Sequence, residues 1–218
     1  MVSCRLCAHQ ARDFMTVDGV DYLACDHCGL RFMDAAYLPS PADEKSHYDQ
    51  HENDVNDPRY RRFLSRLSEP LMQVLPQGST VLDFGSGPGP ALAKMMQENG
   101  HYVSIYDPFY APDLAVLNRQ YDAVTASEVI EHFHQPKTGF QQMLSCVKAG
   151  GWLAVMTQVQ NDDQAFAQWH YRRDPTHVAF YRAESFDYIA AAYGLELQRP
   201  SSQVALFRRH SSPPQAYY

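Results

Sequence analysis

Three groups of residues in this chain have types and spacings that could do chemistry. Cys4, Cys7, Cys25 and Cys28 form a C-x2-C pair, an interval of 17 residues and a second C-x2-C pair. Two such knuckles can bring four thiolates to one tetrahedral zinc at about 2.3 Å. Four thiolates leave no open position, so this zinc would be structural and not catalytic. The second group is Gly85-Ser86-Gly87-Pro88-Gly89, with Asp107 standing 22 residues after Gly85, close to the spacing of about 20 at which an acid meets a ribose. The third is Gln168-Trp169-His170-Tyr171-Arg172-Arg173-Asp174-Pro175-Thr176-His177, with two histidines, a tyrosine and two arginines. His177 or His170, with Tyr171 beside them, could act as a base or orient an acceptor. Arg172 and Arg173 could clamp a carboxylate or phosphate. The plainer alternatives are that His177 braces its own loop and that the arginines are solvated.

These groups need elements to hold them. Residues 14–17 and 20–23 look like two strands, and Asp18-Gly19 is a strong signal for a two-residue hairpin turn. With the two knuckles this predicts a zinc ribbon. About 35 residues cannot bury enough apolar area to fold alone, so the metal would supply the missing free energy. Disulfides would need an oxidising compartment, for which the sequence gives no sign. A redox C-x-x-C usually sits beside a βαβ pattern, and here the neighbour is a hairpin. Cys146 reads as a small core residue.

Residues 80–84 form a short apolar strand running into the glycine turn. A helix over 90–99 follows, with Leu92, Met95 and Met96 at core spacing and Gly100 at its end. A second strand over 101–106 closes on Asp107. This is the opening half of a doubly wound nucleotide-binding sheet. The chain has no G-x-x-x-x-G-K-[ST] phosphate loop, and the dinucleotide fingerprint would need glycine where Pro90 stands. Pro88 and Pro90 also remove two N–H donors that a pyrophosphate could use. A ligand that needs close backbone approach but carries no phosphate fits better, and S-adenosylmethionine is one. Its amino acid end can lie on the glycine turn, and its ribose diol can meet both arms of the Asp107 carboxylate.

Residues 37–60 carry Pro39, Pro41 and Pro58 among many charged and aromatic residues and read as a loop with one short helix. Within it Ser46-His47-Tyr48-Asp49-Gln50-His51 could face a substrate, but no spacing enforces convergence, which favours a solvated polar surface. Residues 59–75 look helical, with Phe63, Leu64, Leu67, Leu71, Val74 and Leu75 on or near one face. Pro70 is expected to interrupt that helix and start a second one. The resulting division is a ribbon over 1–36, a connector with helices over 37–78, a cofactor-binding domain over 79–208 and a polar tail over 209–218.

The segment Val81-Leu82-Asp83-Phe84-Gly85-Ser86-Gly87-Pro88-Gly89 resembles the first motif of class I S-adenosylmethionine-dependent methyltransferases. Tyr121-Asp122-Ala123-Val124-Thr125-Ala126-Ser127-Glu128-Val129-Ile130-Glu131-His132 resembles that family's fourth strand and the turn after it. Val147-Lys148-Ala149-Gly150-Gly151-Trp152 resembles the start of its fifth strand, with Ala149 in place of the usual proline. Asp174-Pro175-Thr176-His177-Val178-Ala179-Phe180-Tyr181 and the helix after it are also similar. The resemblance spans roughly 79–208 and implies a mostly parallel, doubly wound Rossmann-like sheet. It implies Asp83, Gly85, Ser86, Gly87 and Gly89 around the methionine end of the cofactor, Asp107 on the ribose, Phe109 on adenine, and Ser127 and Glu128 towards the sulfonium. One departure stands out. Only 14 residues lie between Asp107 and Asp122, too few for the usual helix, third strand and helix, so the sheet should be shortened there. Glu128, Glu131 and His132 also resemble a divalent-cation triad of ubiquinone-biosynthesis O-methyltransferases; the same letters fit an ordinary start of a helix.

Composition narrows the partner. Lys and Arg total 18 against 25 Asp and Glu, a net charge of −7, which argues against a general nucleic-acid binder. No apolar run has the roughly 18 residues of a membrane span, and the first residues lack a signal-peptide core, so a cytoplasmic protein is expected. A small-molecule acceptor is the leading expectation. An RNA acceptor read by the ribbon, and a cofactor-binding module without turnover, are the alternatives.

Overall fold

The computed structural model describes residues 2–50 and 54–211. Strands β1 (Arg12–Val17) and β2 (Val20–Ala24) pair antiparallel. Asp18 and Gly19 have φ of 54° and 80°, the left-handed pair that a twisted two-residue hairpin requires. Strand β3 (Arg31–Met33) adds to β2. Cys4 and Cys7 precede β1, Cys25 and Cys28 follow β2, and all four ligand sulfurs lie within 4.8 Å of one another.

Helix α1 (Pro41–Tyr48) starts with a capping box between Ser40 and Asp43 and buries no side chain. Polar contacts hold it: His134 Nε2 lies 2.8 Å from Glu44 Oε1, and His47 Nε2 lies 3.2 Å from Asp174 Oδ2. Helix α2 (Pro58–Val74) buries Leu64, Leu67 and Leu71. It runs unbroken through Pro70, contrary to the expected second helix. Continued helix costs one backbone bond there, but it keeps Leu71 on the same apolar stripe as Leu64 and Leu67.

The larger sheet begins with β4 (Thr80–Phe84), followed by α3 (Ala91–Glu98) and β5 (Tyr102–Tyr106). A short 3-10 helix, Leu114–Asn118, fills the space before β6 (Tyr121–Ser127). That single turn stands where the family places helix, strand and helix, so the shortened sheet is seen directly. Helix α4 (Pro136–Ser145), β7 (Val147–Met156), β8 (Ala179–Phe180), α5 (Ala183–Tyr193), β9 (Leu195–Ser201) and β10 (Val204–Arg209) complete the chain. The order is β5-β4-β6-β7-β10-β9, with β5, β4, β6 and β7 parallel and β10 antiparallel to both neighbours.

Alternation along the strands splits the core between two faces, as a period of two requires. Val81, Ala123 and Ala154 pack with Leu64, Leu67, Leu92 and Met96 of α2 and α3. Leu82, Val124 and Leu153 pack with Phe140 of α4 and Phe186 and Ile189 of α5. This second core also contains Leu6, Cys25, Cys28, Leu30 and Phe32, so the ribbon is continuous with one face of the sheet. Strand β8 stands outside the larger sheet and pairs with β3, giving a small sheet β1-β2-β3-β8.

Candidate active site

The parallel strands end together, with Phe84 beside Tyr106 and Ser127 beside Met156. A cavity of about 540 Å³ opens above these ends, inside the range of small-molecule sites. Its floor on one side is the glycine turn. Gly85 and Ser86 both donate their N–H to the Tyr106 carbonyl, at 2.7 and 3.1 Å. Gly85 has φ of 75°, and a Cβ there would lie 2.5 Å from Val129, so only glycine fits this bend.

Asp107 closes the turn from β5. Its Oδ2 accepts from Gly87 N at 2.9 Å, and its Oδ1 accepts from Phe109 N and Tyr110 N at 2.9 and 3.1 Å. An ionised carboxylate offers about four lone-pair directions. Three are used inside the protein, which leaves one on Oδ2 for a ligand hydroxyl. Gly85, Ser86, Gly87, Asp107, Phe109, Ser127 and Glu128 all line the cavity. Ser127 Oγ is buried and has no protein partner. Gly89 and Asp83 do not line it. Asp83 sits behind the turn, where Thr125 Oγ1 donates to it at 2.9 Å and burial pushes its carboxyl up to about 6.

The opposite wall comes from α1, α2 and the loop after β7. Glu44 and Tyr48 are four residues apart on α1, Tyr60 and Phe63 three apart on α2, and each pair projects into the cavity. His177, Asp174 and His132 complete this wall. His177 Nδ1 lies 2.7 Å from the Tyr171 carbonyl. A carbonyl only accepts, so Nδ1 carries the proton and Nε2 keeps its lone pair. Burial, then neighbouring His132, lowers its pKa to about 4. His132 is oriented the same way, with Nδ1 3.0 Å from the Thr176 carbonyl, and burial lowers its pKa. Asp174 is ionised. Burial opposes its charge, but Thr176 N and Oγ1, at 2.9 and 2.6 Å, and the nearby His177 outweigh that and hold it at about 2.

Between the two walls stands Glu128, with φ of 53°, a left-handed backbone that costs a non-glycine residue on the order of 1 kcal/mol. This bend directs its carboxyl to Tyr171. The Tyr171 hydroxyl lies 3.1 Å from Glu128 Oε2 and 3.0 Å from Thr157 Oγ1, and it donates to Glu131 Oε1. One phenol has one proton and two lone pairs. With that proton on Glu131, Thr157 can supply the second hydrogen and Glu128 must carry a proton of its own. The energetics agree: burial, then the charge of Glu131, pushes Glu128 up to about 8, and burial pushes Glu131 up to about 7.

The third sequence group is thus divided. His177 lines the cavity, Tyr171 stands behind Glu128, and His170 is exposed outside it. Arg172 is buried towards the ribbon, with NH2 2.8 Å from Asp18 and its guanidinium over the Tyr22 ring. Arg173 is exposed and outside the cavity lining. Neither arginine clamps an acceptor, because the hairpin supplies Arg172 with its counter-charge. The polar stretch around residue 47 is not simply a solvated surface: Tyr48 lines the cavity and His47 meets Asp174, while His51 lies outside the described residues. Glu131, His132 and His177 bring three ligand atoms within 4.8 Å of one another, whereas Glu128 is turned to Tyr171.

Glycine turn, acid-ended second strand and cavity over the strand ends define a nucleoside-binding Rossmann-like methyltransferase fold. The methyltransferase-domain family matches residues 48–199, and the chain belongs to it, as a class I S-adenosylmethionine-dependent methyltransferase. Similar solved structures agree on the fold. One is the 1,6-didemethyltoxoflavin-N1-methyltransferase of Burkholderia thailandensis, solved with 1,6-didemethyltoxoflavin and S-adenosylhomocysteine bound. It is 15% identical, with 92% of this chain and 100% of that one covered and a TM-score of 0.57. Another is an O-methyltransferase family protein of the same organism, 18% identical, with 82% and 64% covered and a TM-score of 0.53. No curated protein matches this chain. No helix among the described residues is long and apolar enough to cross a membrane.

Proposed function

We propose that this methyltransferase acts on a small-molecule acceptor held between α1, α2 and the His177 loop. The observation that carries the reading is one continuous cavity lined both by the glycine turn with Asp107 and by His177, whose Nε2 lies 3.8 Å from Asp174 Oδ2. S-adenosylmethionine, when bound, supplies an electrophilic methyl group on a good leaving group. Gly85, Ser86, Gly87 and Gly89 hold its methionine end, with Asp83 supporting the turn from behind. The remaining lone pair on Asp107 Oδ2 takes a ribose hydroxyl, Phe109 packs on adenine, and the unpartnered Ser127 Oγ is available to the cofactor. Positioning supplies much of the rate of such an in-line displacement. His177 orients the acceptor and receives its proton at Nε2; protonated Glu128, fixed by Tyr171, borders the reacting centre without adding charge. His170, outside the cavity, has no step. No step is routed through a divalent cation: Tyr171 engages Glu128 Oε2 and Glu131 Oε1, while Glu131 Oε2 has no protein partner among the described residues.

A structural zinc at Cys4, Cys7, Cys25 and Cys28 belongs to the same proposal. The sulfur pairs Cys4–Cys28 and Cys7–Cys25 are 3.5 and 3.4 Å apart, near the edge of about 3.8 Å of a tetrahedron with 2.3 Å bonds. The division into ribbon, connector, cofactor-binding domain and tail is retained as a proposal, with β8 serving the ribbon's sheet and β10 reaching Arg209. A cytoplasmic setting is proposed on the same footing. The test is calorimetry with S-adenosylhomocysteine beside a methyl-transfer assay. Asp107→Ala should weaken binding at least tenfold, and His177→Ala should lower turnover at least tenfold with binding within about threefold. Unchanged binding in Asp107→Ala would remove the proposed site.

A further inference from the structure

Among the described residues, the acidic side chains on the acceptor side of the cavity have no lysine or arginine beside them in its lining. Glu44 and Asp174 line it, and their partners are imidazoles, His134 and His47, rather than lysine or arginine. His132 and His177 present neutral rings. Among the described residues no lysine or arginine lines the cavity. Two cations stand near its rim, and both are engaged: Lys45 pairs with Asp49 at 2.8 Å and lies over the Tyr110 ring, while Arg66 donates to Gln203 at 3.1 Å and lies over the Phe63 ring. Arg172, the strongest candidate anion clamp in the sequence, is spent on Asp18.

The uncharged part of the same wall is aromatic: Tyr48, Tyr60 and Phe63, with the Tyr48 ring 5.3 Å from that of His132 and 5.8 Å from that of Phe109. Aromatic faces and carboxylates attract a cation and tolerate a neutral ring. An anion would lose its hydration and meet two acidic side chains, with no lysine or arginine among the described lining residues to pair with it. The carboxyl oxygens of Glu44 and Asp174 and the unprotonated Nε2 of His177 are acceptors for hydrogens that a guest brings.

Resting on the methyltransferase reading above, we infer that the acceptor is a compact ring compound with no net negative charge, neutral or cationic, that presents N–H or O–H groups to Glu44, Asp174 and His177. In the transfer, a nitrogen or oxygen lone pair of the acceptor forms the bond to the methyl carbon. The carbon–sulfur bond breaks with its electron pair remaining on sulfur, and the displaced proton passes to Nε2 of His177 and on to water. The same lining disfavours nucleic acid, nucleotides and organic acids as acceptors.

The experiment separates a cellular metabolite extract and its RNA by charge at neutral pH, on a cation exchanger and then an anion exchanger. Each fraction is offered to the full chain with methyl-labelled S-adenosylmethionine. Label should enter the unretained or cation-exchanger fraction at least tenfold above the anion-exchanger fraction. Glu44→Lys should raise KM for that acceptor at least fivefold, with S-adenosylhomocysteine affinity reporting that the variant is folded. Labelling confined to the anion-exchanger fraction overturns the inference. So does the absence of labelling in every fraction by protein that still binds S-adenosylhomocysteine, whereas failure to bind it at all overturns the underlying reading.

Discussion

Glu128, Glu131 and Tyr171 form a tightly coupled buried group beside the cavity. A left-handed backbone, two buried carboxyls and one phenolic proton are held together beside the cavity. Their folded pKa values, about 8 and about 7, lie above the ordinary 4.5. The folded chain therefore keeps protons that the unfolded chain releases, and stability must fall as pH rises from about 4.5 towards about 8. Glu131→Gln removes one of the two groups and should flatten that slope. The variant should gain on the order of 3 kcal/mol relative to wild type between about pH 5 and about pH 8, read as Tm against pH. An equal slope in both proteins would show that the carboxyls are not coupled to folding. Because His177 is neutral from about pH 5 upward, a basic limb in the rate is expected from the Glu128 and Glu131 pair and not from this imidazole.

At the scale of elements, the ribbon is a wall support as well as an appendage. Met33 N donates to the Val178 carbonyl at 2.9 Å, and Val178 N donates to the Glu131 carbonyl at 2.9 Å. The residue between Thr176 and Val178 is His177, so β3 and the turn after β6 grip the His177 loop from both sides. Arg31 and Arg182 meet on Asp163, at 2.9 and 2.8 Å, adding a second tie across the same loop. Removing the proposed zinc should loosen this wall while leaving the glycine turn intact. Cys25→Ser is expected to abolish bound zinc by elemental analysis and to lower turnover at least tenfold, with S-adenosylhomocysteine affinity changed less than about threefold. Native protein without zinc, or a variant that loses cofactor binding in parallel, would refute that division of labour.

For the whole molecule, the net charge of −7 and the ribbon's surface act in one direction. Arg12 is paired with Asp26 at 2.8 Å, and Arg172 with Asp18, so the hairpin offers RNA little free positive charge. Total transfer RNA at physiological salt should form no complex below about 10 µM in a mobility-shift assay. A tight, salt-sensitive complex would restore the RNA reading.

Local pattern made much of the molecule legible in advance. The cysteine spacing with Asp18-Gly19 determined the ribbon's hairpin, because turn geometry depends on two adjacent residues. The glycine turn, its flanking strands and the 14-residue gap before Asp122 determined the Rossmann-like sheet and its missing strand, since chain length alone forbids the extra elements. Pro70 misled because a local penalty was weighed without the apolar stripe that outweighs it. What only the tertiary structure decided was convergence. Glu44, Tyr48, Tyr60, Phe63 and Asp174 come from three separate segments, and nothing in their own stretches says that they share a wall. Arg172 and His177 lie five residues apart, yet one is drawn into the ribbon by Asp18 and the other faces the cavity. Which way such a side chain turns depends on a counter-charge more than 150 residues distant in the chain, and that relation exists only once the sheet has folded.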